Sequence, residues 1–456
     1  MTASQERGAW GSRVGFILAG AGSAIGLGNI WRFPYIAGEN GGAVFVFIYL
    51  LCVFFIGFPV MIAELTLGRK TEKNPVGAIK TLAPGSSWKY VGFLCVLTGF
   101  GIFSWYCVVA GWVVGYLYKT AAGHFSNLED PSVTLTIFNN FVSNPWAVIF
   151  LTLFFISLTG YVVFRGVKGG IEKCSRILMP LLIVLLILLA IRAITLPGAS
   201  KGLVFYLKPD FSKIDINVIL AAMGQALFSL SLGMGTMITY GSYLSKKDNI
   251  PTSAAWVCTF DTGIAILAGF VILPAVAAMG LEYGEGPGLI FQALPSIFGA
   301  MPGGQWFGIG LFLLVGIAAL TSTVSILEVP VAYMVDEKKW LRKKAVVLSC
   351  LVAFVLSVPA ALASGASGFL SNLPILRTDF FTVISTLFGP ISLAIGSLLI
   401  AIFVGWRWTV SKAKEEIESE NVRFVIGNLW NFTIKFIAPV TITIVFIYTL
   451  WNTFFG

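Results

Sequence analysis

Asp261 is the only charged residue between positions 250 and 279. A carboxylate inside an apolar run of that length costs several kcal/mol and marks a functional candidate. That segment carries no Arg or Lys to neutralise it, so an ion-binding role fits better than a structural salt bridge. Other oxygen donors sit in apolar runs elsewhere: the Asn29 amide, the Ser229 and Ser231 hydroxyls, and Thr321-Ser322-Thr323 just after Ala318. These donors are hard, and they favour Na+ over transition metals. Glu64 and Glu328 also fall in apolar runs, where capping freed backbone groups is as good a role as contacting a ligand.

Two glycine-rich interruptions accompany these donors. One spans residues 20–29 and the other residues 224–235. Glycine often serves close helix packing in membranes. Here each interruption lies in the first helix of a five-helix set, which favours a pair of broken helices flanking a site. At such a break the half-helix N-termini offer unpaired N–H groups to a carboxylate. The half-helix C-termini and unwound carbonyls suit a small hard cation. A ligand carboxylate and a sodium ion can therefore sit side by side. Arg32 directly follows the first interruption, where it could form an ion-pair gate or steer anions.

Catalytic chemistry is poorly supported. His124 is the only histidine, and it falls in a connecting loop. The six cysteines form no C-x-x-C pair, and most sit inside apolar runs. Neither a nucleophile with a base nor a metal centre can be assembled, so an enzyme is not expected. A passive channel would want rings of like groups around a pore. No basic stripe with stacking aromatics points to nucleic acid.

The elements that must position these residues are membrane helices. Of the 456 residues 57% are hydrophobic and only 11% are charged, and the mean hydropathy is +0.89. Lipid must cover most of the outside, which leaves helices or a closed barrel. The apolar runs are far longer than barrel strands, so the chain is read as all-α. About eleven spans of roughly 20 residues follow. They are expected at 13–38, 42–67, 89–121, 145–164, 169–194, 214–243, 250–279, 305–335, 345–363, 380–408 and 424–455. One transport domain covers 1–456, with a first repeat at 13–194, a second at 214–408 and an extra helix at 424–455.

Most Lys and Arg residues fall in alternate loops on the side of the N-terminus, which places that end in the cytoplasm and the C-terminus outside. The protein is expected to be multi-pass in the cell (plasma or inner) membrane. Gly170 and Pro180 are expected to weaken the fifth span. The Gly- and Pro-rich stretch 282–298 is expected to form a re-entrant plug or lid.

The run Gly22-Ser-Ala-Ile-Gly-Leu-Gly-Asn-Ile-Trp-Arg-Phe-Pro34, followed by Glu39-Asn-Gly-Gly42, closely resembles the neurotransmitter:sodium symporter family. Residues 225–235, Tyr106 with Gly111-Trp112, and Thr321-Ser322 resemble its other signatures. The likeness spans nearly the whole chain and is strongest for the bacterial amino-acid branch. It implies a five-plus-five inverted repeat of the bacterial leucine transporter type, with helices 1 and 6 discontinuous.

Two sodium sites are implied by this resemblance, and no organic cofactor. The first would use Ala24, Asn29, Ser229, Asp261 and the substrate carboxylate. The second would use Gly22, Ile25, Ala318, Thr321 and Ser322. The substrate carboxylate would meet the Leu27 and Gly28 amides and the Tyr106 hydroxyl. Its side chain would meet Ile102, Phe228, Ser231, Met234 and Ile326, close to Ser229 and Ser322. Arg32 with an acid of span ten, nearest Asp379, would form the outer gate. Arg7 with Asp336, near Trp10 and Tyr243, would form the inner one. Gly170 and Pro180 match the family's span-five unwinding motif.

Two departures carry information. Many members have Asn where this chain has Asp261, and the family's chloride-site Ser is here Ala265, although Tyr49 and Gln225 remain. The fixed charge of Asp261 is therefore expected to replace chloride. Monoamine carriers of the family place Asp at the position of Gly26, so the substrate should bring its own carboxylate. Met234 is unbranched and adaptable, and Gly-Met-Gly at 233–235 resembles the multihydrophobic members of the family. Sodium-coupled import of hydrophobic L-amino acids, aromatic and branched aliphatic, is the expected function. A carrier of small neutral amino acids, or a non-transporting amino-acid sensor, is the alternative. The lipid bilayer is the other expected partner, with no nucleic acid and no obligatory protein.

Overall fold

A computed structural model describes residues 8–126, 128, 131–280, 289–374 and 376–454. The described secondary structure is helical throughout. The spans are α1 (Arg13–Ala24), α2 (Gly28–Glu39), α3 (Ala43–Thr71), α4 (Lys89–Ala121), α5 (Pro145–Phe164) and α6 (Val167–Ile194). They continue with α7 (Ile216–Ser229) and α8 (Thr236–Gly241). The remainder are α9 (Ile250–Ala278), α10 (Gly304–Lys338), α11 (Arg342–Leu362), α12 (Phe380–Ile417) and α13 (Gly427–Thr453). Among the described residues nine helices are long and apolar enough to cross a membrane unaided, and α1 with α2 makes a tenth span bent by 55°. The eleventh predicted span is the α7–α8 pair, whose halves are each too short to cross alone.

The helices form two groups. In one, α3 packs on α7 and α8, and α9 packs on α1, α2 and α3. In the other, α4, α5, α10 and α11 pack on one another. They meet where α1 and α8 lie on α10, with α6 leaning on α1, α9 and α10. Close backbone approach needs small residues at the contacts. A Cβ on Gly241 of α8 would stand 2.5 Å from the Leu65 carbonyl oxygen of α3. On the outside, only 33% of the most apolar window of α6 and 28% of that of α13 is buried, so those helices turn their apolar faces to lipid.

One expectation is corrected, one holds, and three short helices are new. Span five is intact: α6 runs from a π-turn at Val167–Glu172 through Pro180 to Ile194 without a break. Gly170 serves close approach there, since a Cβ would meet the Val162 carbonyl oxygen. Span ten ends where expected: Thr409 (φ 80, ψ 139) breaks the helix, and the polar segment Val410–Ile417 follows, its Glu416 carboxylate held by the buried Arg69. Loop helices at Pro75–Leu82, Pro131–Val142 and Ala199–Leu207 were not expected, being too short to stand out in a hydropathy profile.

Candidate functional site

The first break is short. α1 ends at Ala24, Ile25 is extended (φ −73, ψ 106), and α2 resumes at Gly28 as a π-turn. The Tyr106 hydroxyl of α4 accepts from the Leu27 amide at 2.8 Å. The Ser23 carbonyl accepts from Ser322 of α10 at 2.9 Å and from Ser231 of the second break at 3.0 Å. Gly26 fills the centre of this arrangement. A Cβ on it would lie 2.5 Å from the Tyr106 hydroxyl and 2.6 Å from the Ser322 hydroxyl. The Phe228 ring covers Gly28, 2.9 Å from where its Cβ would be.

The second break, between Ser229 and Thr236, is built differently. Ser231 (φ 53), Gly233 (φ 84) and Gly235 (φ 76) all adopt left-handed backbone. That conformation costs a non-glycine residue roughly 1–2 kcal/mol, and the bond from Ser231 to the Ser23 carbonyl helps hold it. Glu64 of α3 accepts from the Gly233 amide at 2.7 Å. The residue thus caps a freed backbone group, one of the roles its sequence position allowed. Met234 is buried between the two glycines.

Asp261 is fully buried beside both breaks. Its Oδ1 accepts from Asn29 Nδ2 at 2.7 Å and its Oδ2 from the Ser229 hydroxyl at 2.7 Å. Tyr49 stands 3.4 Å from Oδ2. Among the described residues no Lys or Arg forms an ion pair with Asp261. The Asn29 oxygen accepts from the Gly26 amide, so the amide presents nitrogen to Asp261, not the expected oxygen. The physical reason is that a carboxylate acceptor demands a donor. The Gln225 amide joins the Gly28 carbonyl and Arg32 instead of the Asp261 cluster.

The second donor set is also assembled in part. A Cβ on Gly22 of α1 would lie 3.2 Å from Thr321 Cβ on α10. The Thr321 hydroxyl donates to the Ala318 carbonyl at 3.1 Å. Ala24, Ile25 and Ala318 are buried on the same elements. Hydroxyls, an amide, carbonyls and one carboxylate are ligands for a hard cation. Ile102 lies one turn from Tyr106 on α4, and Ile326 one turn from Ser322 on α10, both buried.

The gates differ from expectation on one side. Arg32 donates to Gln225 Oε1 at 2.6 Å, and its guanidinium lies 4.9 Å from the Phe228 ring centre. Asp379 caps α12, accepting from the Thr382 amide at 2.8 Å and its hydroxyl at 2.7 Å. The expected Arg32–Asp379 pair is not formed, because the local cap satisfies the carboxylate. Aromatic contacts dominate this end. The Phe291 ring lies 5.1–6.4 Å from the rings of Trp31, Trp112, Tyr116, Phe138 and Phe312. It sits on the π-turn Leu289–Ala293, within the described part of the expected lid, while residues 281–288 lie outside the described residues.

At the other end Trp10 donates to the Tyr240 carbonyl at 3.1 Å, and the Tyr243 hydroxyl donates to Glu328 at 2.7 Å. Arg342 holds the same carboxylate at 2.5 Å. Asp336 accepts from the Asn74 amide at 2.9 Å, and Arg7 lies outside the described residues. Sequence reasoning missed Glu172, whose carboxylate accepts from the Gly11 amide at 2.6 Å and pairs with Arg176. The signal was its i, i+4 spacing to Arg176 together with the glycines at 11 and 15.

This constellation belongs to a sodium-coupled membrane symporter: the chain is a member of the Sodium:neurotransmitter symporter family, whose profile matches residues 7–128 and 135–454. Its relatives are transporters, not enzymes. An uncharacterized sodium-dependent transporter of Bacillus subtilis is 39% identical over 96% of both chains. A second, from Haemophilus influenzae, is 36% identical over 99% of this chain and 100% of its own. The sodium-dependent serotonin transporter of Drosophila melanogaster is 27% identical over 98% of this chain and 77% of its own. Among solved structures, that of MhsT in complex with L-phenylalanine superposes with a TM-score of 0.88 at 44% identity, covering 97% of this chain and 100% of the other.

Proposed function

We propose that this symporter imports hydrophobic L-amino acids, aromatic and branched aliphatic, with two sodium ions and without chloride. Gly26 carries the reading. With no room for a Cβ between Tyr106 and Ser322, the first break cannot supply a side-chain acid for a substrate amine. The substrate therefore brings its own carboxylate, which would take the Leu27 and Gly28 amides and the Tyr106 hydroxyl. The L-phenylalanine bound in the 44%-identical MhsT structure supports this class of substrate.

Sodium one would bind Ala24, Asn29, Ser229, Asp261 and the substrate carboxylate. The near-isosteric Asn29 amide would turn its oxygen to the ion. Sodium two would bind Gly22, Ile25, Ala318, Thr321 and Ser322. Ile102, Phe228, Ser231, Met234 and Ile326 would surround the substrate side chain. The buried charge of Asp261 beside Tyr49 and Ser229 supports chloride independence, since chloride's task is to neutralise sodium in that volume. Alternating access would open first one end and then the other, with the N-terminus cytoplasmic and the C-terminus outside. Two repeats, at 13–194 and 214–408, would rock about the site.

A scintillation competition panel with and without Na+ tests the proposal. Trp, Phe, Leu and Ile are expected to displace label, and only with sodium. Preference for Gly or Ala would instead indicate a carrier of small neutral amino acids. Binding without uptake would indicate a sensor.

A further inference from the structure

The ends of α5 and α11 nearest the Trp10–Tyr243 cluster are joined by one residue. Arg342 donates from Nε and Nη2 to the Val163 carbonyl, at 3.1 and 3.0 Å, and also pairs with Glu328. Three more cations surround this junction: Arg165, Lys343 and Lys344, all exposed. Each rests on a ring. The Arg165 guanidinium lies 5.3 Å from Tyr161, Lys343 5.4 Å from Phe164, and Lys344 4.8 Å from Trp340. None of the three forms an ion pair among the described residues, and Glu328, the acid at the junction, is engaged by Arg342. The α5 and α11 faces leading away from the junction are exposed and apolar, with Phe154 46%, Val347 53% and Leu351 56% accessible.

We propose that this junction binds an anionic phospholipid. Headgroup phosphate would sit among Arg165, Lys343 and Lys344, with acyl chains along the exposed faces of α5 and α11. Charge complementarity selects the occupant. The cations are fixed over rings, lack acidic partners, and stand at the membrane-surface end of two lipid-facing helices. A soluble anion would leave the apolar faces uncovered, and a zwitterionic lipid would leave net positive charge. Each cation near a charged surface favours an anionic lipid roughly fivefold, so three give a preference on the order of a hundredfold.

Native mass spectrometry of the full chain, titrated with phosphatidylglycerol or phosphatidylcholine, tests this. The wild type is expected to retain phosphatidylglycerol with that preference. The R165Q/K343Q/K344Q variant is expected to lose it while still binding labelled L-phenylalanine with sodium. If the triple variant does not fold, Lys343→Gln alone is expected to lower the preference roughly fivefold. Equal retention of both lipids by the wild type, or an unchanged preference in the variants, overturns the proposal.

Discussion

The two helix breaks look alike in sequence and differ in construction. The first uses ordinary backbone, and its polar contacts come from the side chains of Tyr106, Asn29 and Ser322. The second folds three left-handed residues into a tight wedge capped by Glu64. A Cβ on Gly233 would stand 2.2 Å from the Leu393 carbonyl of α12. The first break therefore presents chemistry, and the second fixes shape. A substrate carboxylate and sodium need donors that can reorient. The wall proposed to select by side-chain size would need a backbone that cannot.

Gly26 is where the two breaks differ most in what a side chain would meet. Gly26→Ala forces a methyl against two hydroxyls, and sodium-driven uptake is expected to fall on the order of a hundredfold. Gly263→Ala on α9, with nothing within 4 Å of its Cβ, serves as control and should leave uptake unchanged. Uptake preserved in the Gly26 variant would mean the first break is not the carboxylate cradle.

Asp261→Asn removes a charge on which Asn29 and Ser229 converge. Sodium affinity, read from the sodium dependence of substrate binding, should drop roughly tenfold or more. Chloride should then restore part of it. A variant whose sodium dependence matches the wild type, with or without chloride, would remove Asp261 from the account.

Tyr106→Phe deletes the hydroxyl that meets the Leu27 amide. Its KM for substrate should rise about tenfold with little change in expression, as expected for a lost hydrogen bond to a charged group. At the second break, Glu64→Gln keeps an acceptor for the Gly233 amide and should cost only a few-fold in binding, about 1 kcal/mol. Glu64→Ala should cost more, because the amide is left unsatisfied. An equal loss in the Gln and Ala variants would mean that Glu64 acts by its charge and not as a cap.

Much of the frame was legible because membrane helices announce themselves by length. Lys89–Ala121 and Pro145–Phe164 fall where the apolar runs end. Asp261 and the breaks were legible because acids and glycine clusters are rare in such runs. What escaped was set by partners distant in sequence. Nothing around Glu416 announces Arg69, 347 positions away, which pairs with its buried carboxylate. Asp379 was misread as a gate because it is the acid nearest the expected position. The Thr382 three residues on, which makes it a helix cap, was the overlooked signal. Phe291 gave no signal at all: its five ring partners come from four other elements of the chain. The outer end thus closes on rings where an ion pair was expected, whereas the inner end closes on hydrogen bonds to Tyr240, Glu328 and Glu172.

One carboxylate-bearing hydrophobic substrate and sodium are proposed to share the first break, with Asp261 in place of chloride. Uptake of labelled L-phenylalanine into proteoliposomes under an inward sodium gradient, in chloride-free medium, tests it most directly. Accumulation above the external concentration is expected, lost when potassium replaces sodium and unaffected by the absence of chloride. Accumulation that needs chloride, or that proceeds without sodium, would contradict it.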